Sequence, residues 1–258
     1  AWKDFCLFHL DRLLAEFGHD GWYLDGPEWP MACSNLLHGC GYRAADGTLH
    51  PTYDIFATRD FMKRLYVLTR RRNPDGQLNI HNSTVMVIPT LAWGTSSWGG
   101  EQIDAIKPPV KTLDILPMDA FRTEFMGRQW GVPAEFLVYD GMPYYARDVL
   151  AYTLLHGVLI RPGDAESLNR TSALWKVHDE FPFKDANMLP YWSNANVLTC
   201  SPAGVYVTAY QRPKEGLLFF VSNLGEADAE ATVKLEWAKL RLPGNCKAWD
   251  ALTGAPMA

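Results

Sequence analysis

From Trp2 to Phe17 the apolar side chains Trp2, Phe5, Cys6, Leu10, Leu13, Leu14 and Phe17 recur at helical spacing. That period predicts an amphipathic helix over the whole stretch. The pattern then changes: Gly21-Trp22-Tyr23-Leu24 is a short apolar run that ends on Asp25 and turns through Gly26. Such a run suits a parallel strand covered on both faces. Helical spacing returns from Asp54 to Thr69, with Ile55, Phe56, Phe61, Met62, Leu65, Tyr66 and Leu68 on or near one face. Asn73-Pro74-Asp75-Gly76 marks a turn, and Gln77 to His81 is the second predicted strand. An apolar stretch from Thr84 to Leu91, broken by Pro89, leads to Trp93–Glu101, read as a third strand end and its loop. Further on, Met118–Trp130 predicts a helix, Glu135–Tyr139 a strand ending at Asp140-Gly141, and Arg147–Leu154 a helix. His156–Ile160 predicts a fifth strand ending at Arg161, and Glu166–Glu180 a closing helix.

Strands separated by helices imply βαβ units and a parallel sheet. Five strands fall short of the eight of a closed barrel, and the chain enters on a helix rather than a strand. The expected fold is therefore α/β. Residues 1–190 form the C-terminal part of a (β/α)8 TIM-type barrel, lacking its first strands. An open doubly wound sheet would require a Gly-rich turn after the first strand, and the sequence has none. After about Pro190 short alternating runs appear at Val205–Tyr210, Gly216–Ser222, Ala231–Glu236 and Cys246–Trp249. They predict a small antiparallel β-sandwich over residues 191–258, possessing a hairpin-like turn at Thr253-Gly254-Ala255-Pro256 without its return strand. Open sheet edges lead to the expectation of an N-terminal segment, or a partner chain, that completes the barrel.

Composition narrows the function. The chain has 258 residues, 48% hydrophobic and 21% charged, with a net charge of −5. With no long basic run, nucleic acid is not expected as a partner. No apolar stretch reaches the roughly 18 residues of a membrane span. The 10 Trp, 11 Tyr and 12 Phe offer flat faces on which sugar rings stack, and equally the filling of a large core.

The candidate chemistry sits at the predicted strand ends, where barrels of this type place their active sites. Glycosidic bond cleavage takes a pair of carboxyl groups. If the five strands are strands four to eight of the barrel, Asp25, ending the fourth, and Glu101, following the sixth, are the predicted catalytic pair, as nucleophile and acid/base. Carboxyls about 5–5.5 Å apart would mean retention, and about 6.5–9.5 Å inversion. Glu101 as a loop residue paired with an arginine is the competing assignment. Substrate contacts are expected from Glu28, Trp29, His81, Asn82, Trp98, Asp140 and Arg161. Trp93 is a further stacking candidate; each Trp is also a natural core residue, and Asp140 before Gly141 also suits a turn. No cofactor is expected.

Among the five cysteines, Cys33 and Cys40 flank a loop that contains His38. Three readings stand: a loop-closing disulfide of an exported protein, a zinc site using both thiolates and His38, or two free thiols. Asn82-Ser83-Thr84 and Asn169-Arg170-Thr171 match the glycosylation sequon, with the first falling in the predicted site.

The elements Asp20-Gly-Trp-Tyr-Leu-Asp-Gly26, His38-Gly-Cys-Gly-Tyr42, Phe56-Ala-Thr-Arg-Asp60, His81-Asn-Ser83 and Gly100-Glu-Gln102 resemble bacterial glycoside hydrolases of the family 123-like group and, more loosely, melibiase-like barrels. The resemblance implies a (β/α)8 hydrolase with a C-terminal β-sandwich, secreted or periplasmic, acting on glycans. Family 123 enzymes use an adjacent Asp-Glu pair for substrate-assisted attack on N-acetylhexosaminides. The adjacent pair in this chain is Asp179-Glu180, in the helix predicted after the last strand, so that mechanism does not transfer. Melibiase-like barrels place a nucleophilic Asp after strand four and an acid/base Asp after strand six, which fits Asp25 by position and Glu101 with a changed residue type. The expected function is thus an exo-acting, retaining glycoside hydrolase. The alternatives are a non-catalytic glycan-binding protein on a hydrolase scaffold and a metal-dependent hydrolase using Cys33, His38, Cys40 and His50.

Overall fold

The computed structural model of the chain describes residues 1–26, 30–82, 86–106, 112–126, 131–138, 146–162, 165–242 and 244–257. Two compact units share it: residues 1–102 with 127–135, and residues 103–126 with 136–258.

The first unit opens with helix α1 (Trp2–Phe17), which stops where Gly18 turns left-handed and its N–H bonds the Leu14 carbonyl. The helix forms where predicted but buries a different stripe. Leu7 and Leu14 are buried, whereas Trp2, Phe5 and Phe17 are each more than 60% exposed. Leu7 and Leu10 pack with Leu65, Leu78, Trp22 and Leu24, so the line facing the sheet is set by the leucines. Strand β1 (Gly21–Leu24) follows, then four two-residue strands, β2 (Ala32–Cys33), β3 (Tyr42–Arg43), β4 (Leu49–His50) and β5 (Thr52–Tyr53). Helix α2 (Ile55–Arg72) leads to β6 (Gln77–His81), the short helix α3 (Ile88–Leu91) and β7 (Ser96–Gly99). Strand β7 thus lies within the stretch read as a third strand end and its loop.

Strands β1 and β6 pair in parallel with Tyr23 opposite Asn79, and β6 and β7 pair in parallel with His81 opposite Trp98. Gly21 is required at the entry to β1, because a Cβ there would collide with the Gln77 backbone. Side chains alternate across these strands. Trp22, Leu24 and Leu78 join the apolar cluster with α1 and α2. Tyr23, Asn79 and His81 take the other face, where Tyr23 is 42% exposed. The first strand is therefore apolar on one face, not covered on both. Strand β8 (Ala134–Leu137) carries the sheet on, giving the order β1-β6-β7-β8-β9, with β9 at Leu159–Arg161.

In the second unit, helices α4 (Thr112–Ile115) and α5 (Met118–Glu124) precede β8, and α6 (Ala146–His156) precedes β9. His156 ends the helix instead of starting the strand. The reason is Gly157, whose left-handed φ of 66° terminates the helix at that point. Phe121, Phe125, Phe136, Tyr152 and Ile160 form the centre of the unit's core. Helix α7 (Ala165–Glu180) is followed by β10 (Asn187–Leu189), β11 (Leu198–Ser201), β12 (Val205–Arg212), β13 (Gly216–Asn223), β14 (Thr232–Leu235) and the short helix α8 (Trp237–Leu240). The antiparallel sheets are β10-β12-β13 and β11-β14. No strand forms at Cys246–Trp249. Instead Trp249 bridges to Pro256, and Met257 N–H bonds the Ala248 carbonyl. The return limb expected to be missing is supplied by Ala255–Met257.

Helix α6 is fastened to the C-terminal strands through buried polar groups. Thr208, fully buried, donates to the Leu155 carbonyl at 2.7 Å and accepts from Tyr191 N–H at 3.2 Å. His156 Nδ1 lies 2.7 Å from the Tyr152 carbonyl, so it carries the proton, and Nε2 accepts from Tyr191 Oη at 3.1 Å. Burial holds the His156 imidazole below its ordinary pKa; Tyr152's carbonyl opposes the shift and Arg122 adds to it. Burial lowers His178 in the same direction, with Asp179 opposing. For a histidine depressed in the fold, the unfolded chain takes the proton first. Stability is therefore complete above about pH 6.5 and declines as pH falls from there toward the folded-state values. The Tm is expected to drop on mild acidification, and His156→Gln to flatten that slope. An identical slope in wild type and variant would remove His156 from the cause.

Candidate functional site

The polar face of β1, β6 and β7 gathers the site. The alternation that puts Trp22 and Leu24 toward the helices puts Tyr23 on the other side, and Asp25 follows two positions on, just past the strand. His81 is the last residue of β6. Glu101 begins a 3-10 turn (Glu101–Ala105) two residues after β7, beyond Gly100. All three lie at the C-terminal ends of neighbouring parallel strands.

His81 holds the group together. Its side chain is 9% exposed, against 68% for Asp25 and 49% for Glu101. Nε2 lies 2.8 Å from Glu101 Oε2, and Nδ1 lies 2.6 Å from Tyr23 Oη. A carboxylate only accepts, so Nε2–H donates to Glu101 and, in the neutral ring, Nδ1 accepts from the Tyr23 hydroxyl. Asp25 Oδ1 stands 3.6 Å from Nδ1, outside hydrogen-bond length but within strong electrostatic reach if the ring is charged. The outcome is two exposed carboxylates, one at each nitrogen of the imidazole, with Glu101 oriented by a hydrogen bond.

The remaining predicted contacts divide. Trp98 is half-buried, with its ring centroid 4.5 Å from that of Tyr23, and its indole N–H donates to Glu135 at 2.7 Å. Asn82 is buried; its backbone N–H bonds the Trp98 carbonyl at 2.6 Å, and its Nδ2 has no partner among the described residues. Burial also removes Asn82 as a glycosylation acceptor. Trp93 does not join the site: its ring packs 5.9 Å from Tyr66 of α2, with Lys63 over it. Arg161 ends β9 in the second unit, half-buried, its carbonyl accepting from Val138 N–H. Glu28, Trp29 and Asp140 lie outside the described residues. Asp179 and Glu180 close helix α7, with Glu180 3.7 Å from Lys176 on the exposed surface.

Two residues of the site were not predicted. Tyr23 was legible in the two-residue alternation back from Asp25. Glu135 had no such signal, because its role is to hold the Trp98 indole across the sheet. The cysteines are all thiols, and Cys33, His38 and Cys40 converge, their ligand atoms lying within 4.8 Å of one another. His50 stacks on Tyr42 at 5.3 Å and is not part of that cluster. Among the described residues, no helix is long and apolar enough to cross a membrane.

Comparison with known proteins bears on the other end of the chain. Residues 170–251 match the family model for glycoside hydrolase 123, C-terminal domain. No curated protein matched the chain. The matched residues span most of α7, all of β10–β14 and α8, and contain none of the residues around His81. Over residues 170–251 the chain is thus similar to the C-terminal domain of glycoside hydrolase 123.

Proposed function

We propose that the protein is a glycoside hydrolase whose catalytic carboxylates are Asp25 and Glu101, acting from the chain ends as an exo enzyme and with retention. The observation that carries this is the meeting of both acids on His81 at the C-terminal edge of adjacent parallel strands. The family match supports glycan as the substrate class. Asp25, the more exposed acid, is the nucleophile; Glu101, oriented by Nε2 of His81, is the acid/base. Tyr23 and His81 are positioning residues for that pair. Asn82, buried behind the end of β6, supports the strand end rather than reaching the substrate, and the Trp98 ring, pinned by Glu135, forms the wall beside the pair. On this reading the parallel sheet is the later part of a (β/α)8 barrel, β10–β14 form a sandwich module, and the protein works on glycans outside the cytoplasm. Glu28, Trp29, Asp140 and Arg161 remain proposed substrate contacts.

The test is hydrolysis of a panel of α- and β-linked aryl glycosides, including N-acetylhexosaminides, with NMR identification of the first anomer released. Turnover giving the substrate's own anomeric configuration is expected; the opposite anomer would overturn retention. The second reading, a glycan-binding protein without turnover, is favoured by one contact, the 2.8 Å pairing that ties up Glu101. Saturable sugar binding with no hydrolysis on any member of the panel would establish it instead.

A further inference from the structure

From Pro30 to Tyr53, between β1 and α2, the chain has a defined fold without a core. No residue there is buried, and Met31, Leu37, Tyr42 and Tyr53 are each more than half exposed. Yet this segment forms two antiparallel pairs, β2 with β5 and β3 with β4, around a 3-10 turn at Leu36–His38. Segments of fewer than about 40 residues that lack an apolar core hold their shape through cross-links, either disulfides or metals.

The backbone of the turn brings three metal-ligand side chains to one point. Cys33 enters on β2, paired with Thr52. Asn35 caps the turn through its side chain on Leu37 N–H, and its carbonyl accepts from both His38 and Cys40 N–H. Gly39, at a left-handed φ of 80°, reverses the chain. Gly41 follows at φ 77°, where a Cβ would press on the His50 carbonyl and on Ser34 Cα at 2.9 Å, and its N–H bonds Thr52 Oγ1 at 2.8 Å. These constraints turn Cys40 back toward Cys33.

The spacing that results fits a coordination sphere. Cys33 Sγ lies 3.8 Å from His38 Nε2. Zinc bonds of about 2.3 Å to sulfur and about 2.0–2.1 Å to nitrogen, at the tetrahedral angle, place the two atoms about 3.6 Å apart. A disulfide would leave the convergence of His38 without a role. Two thiolates and an imidazole are a donor set that selects zinc over harder cations.

We propose that Cys33, His38 and Cys40 bind one zinc ion, its fourth position open to water, and that this ion is the cross-link of the segment from Pro30 to Tyr53.

The experiment uses the full chain, purified under reducing conditions, with its metal content measured. It is then stripped with chelator and titrated with Co(II). One zinc per chain is expected as purified, and the stripped chain should show the thiolate charge-transfer and tetrahedral d–d bands of cobalt at one equivalent. Cys33→Ser, Cys40→Ser and His38→Ala should each lose stoichiometric binding, while Cys246→Ser keeps it. Removing zinc should open the loop to proteolysis between Pro30 and Tyr53. A Cys33–Cys40 disulfide found by peptide mass in unreduced protein would overturn the proposal. So would a reduced, stripped chain that takes up no cobalt. Both readouts are independent of hydrolysis, so failure here leaves the glycosidase assignment standing.

Discussion

Asp25→Asn is expected to cut kcat by the order of 10^4-fold on every glycoside that the wild type hydrolyses, about 5.5 kcal/mol of transition-state stabilisation. The amide is close in shape to the carboxylate but neither attacks the anomeric carbon nor balances its positive charge, so substrate binding should change little. Glu101→Gln is expected to behave differently. A general acid contributes about 10^2–10^4-fold, and only where the leaving group needs the proton. The loss should therefore be large on alkyl glycosides and shrink on aryl glycosides whose phenolate leaves unaided. His81→Asn removes the bond at 2.8 Å that orients Glu101, and should shift the pH profile of kcat more than it raises KM. Asp179→Asn and Glu180→Gln, at the end of α7, should leave turnover intact. Full activity in both Asp25→Asn and Glu101→Gln would sink the assignment. Loss confined to the Asp179 and Glu180 variants would move the chemistry to that helix.

The site was readable where strand period and strand end coincide. Asp25 and His81 each sit where an apolar strand gives way to a polar loop, and both positions follow from the period-two pattern of β1 and β6. What the pattern did not carry is the bond network, because His81 meets Glu101 across two strands whose register depends on the fold. Trp93 and Trp98, five residues apart, were equivalent as sequence; α3 sends the first against Tyr66 and strand β7 sends the second against Tyr23. The helix boundary held where glycine marks it at Gly18, and the fifth strand was misplaced because Gly157 was not taken as a stop. Strands β10 and β11 escaped because they are short and owe their form to pairing with β12 and β14 rather than to their own composition.

Phe121→Ala should be among the most destabilising single changes in the second unit. Phe121 is fully buried, and its ring centroid lies 5.1 Å from that of Phe125, 5.5 Å from Phe136, 5.7 Å from Tyr152 and 5.0 Å from His156. Truncating a buried Phe costs about 3–5 kcal/mol, a large share of the roughly 5–15 kcal/mol that holds a domain together. At about 2–4 °C per kcal/mol for a unit of this size, the Tm should fall by roughly 6–20 °C. Phe5→Ala is the contrast, since helical spacing places Phe5 on the predicted buried stripe of α1 but the fold leaves it 64% exposed. It should change stability by no more than about 0.5 kcal/mol. Equal losses in the two variants would mean that the stripe, not the leucine line through Leu7 and Leu14, faces the core. Phe121 also covers His156, so its loss should admit water to the imidazole and return its pKa toward the ordinary value. The acid-side decline in Tm should then be shallower in Phe121→Ala than in wild type, tying the packing of this core to the protonation of the histidine it shields.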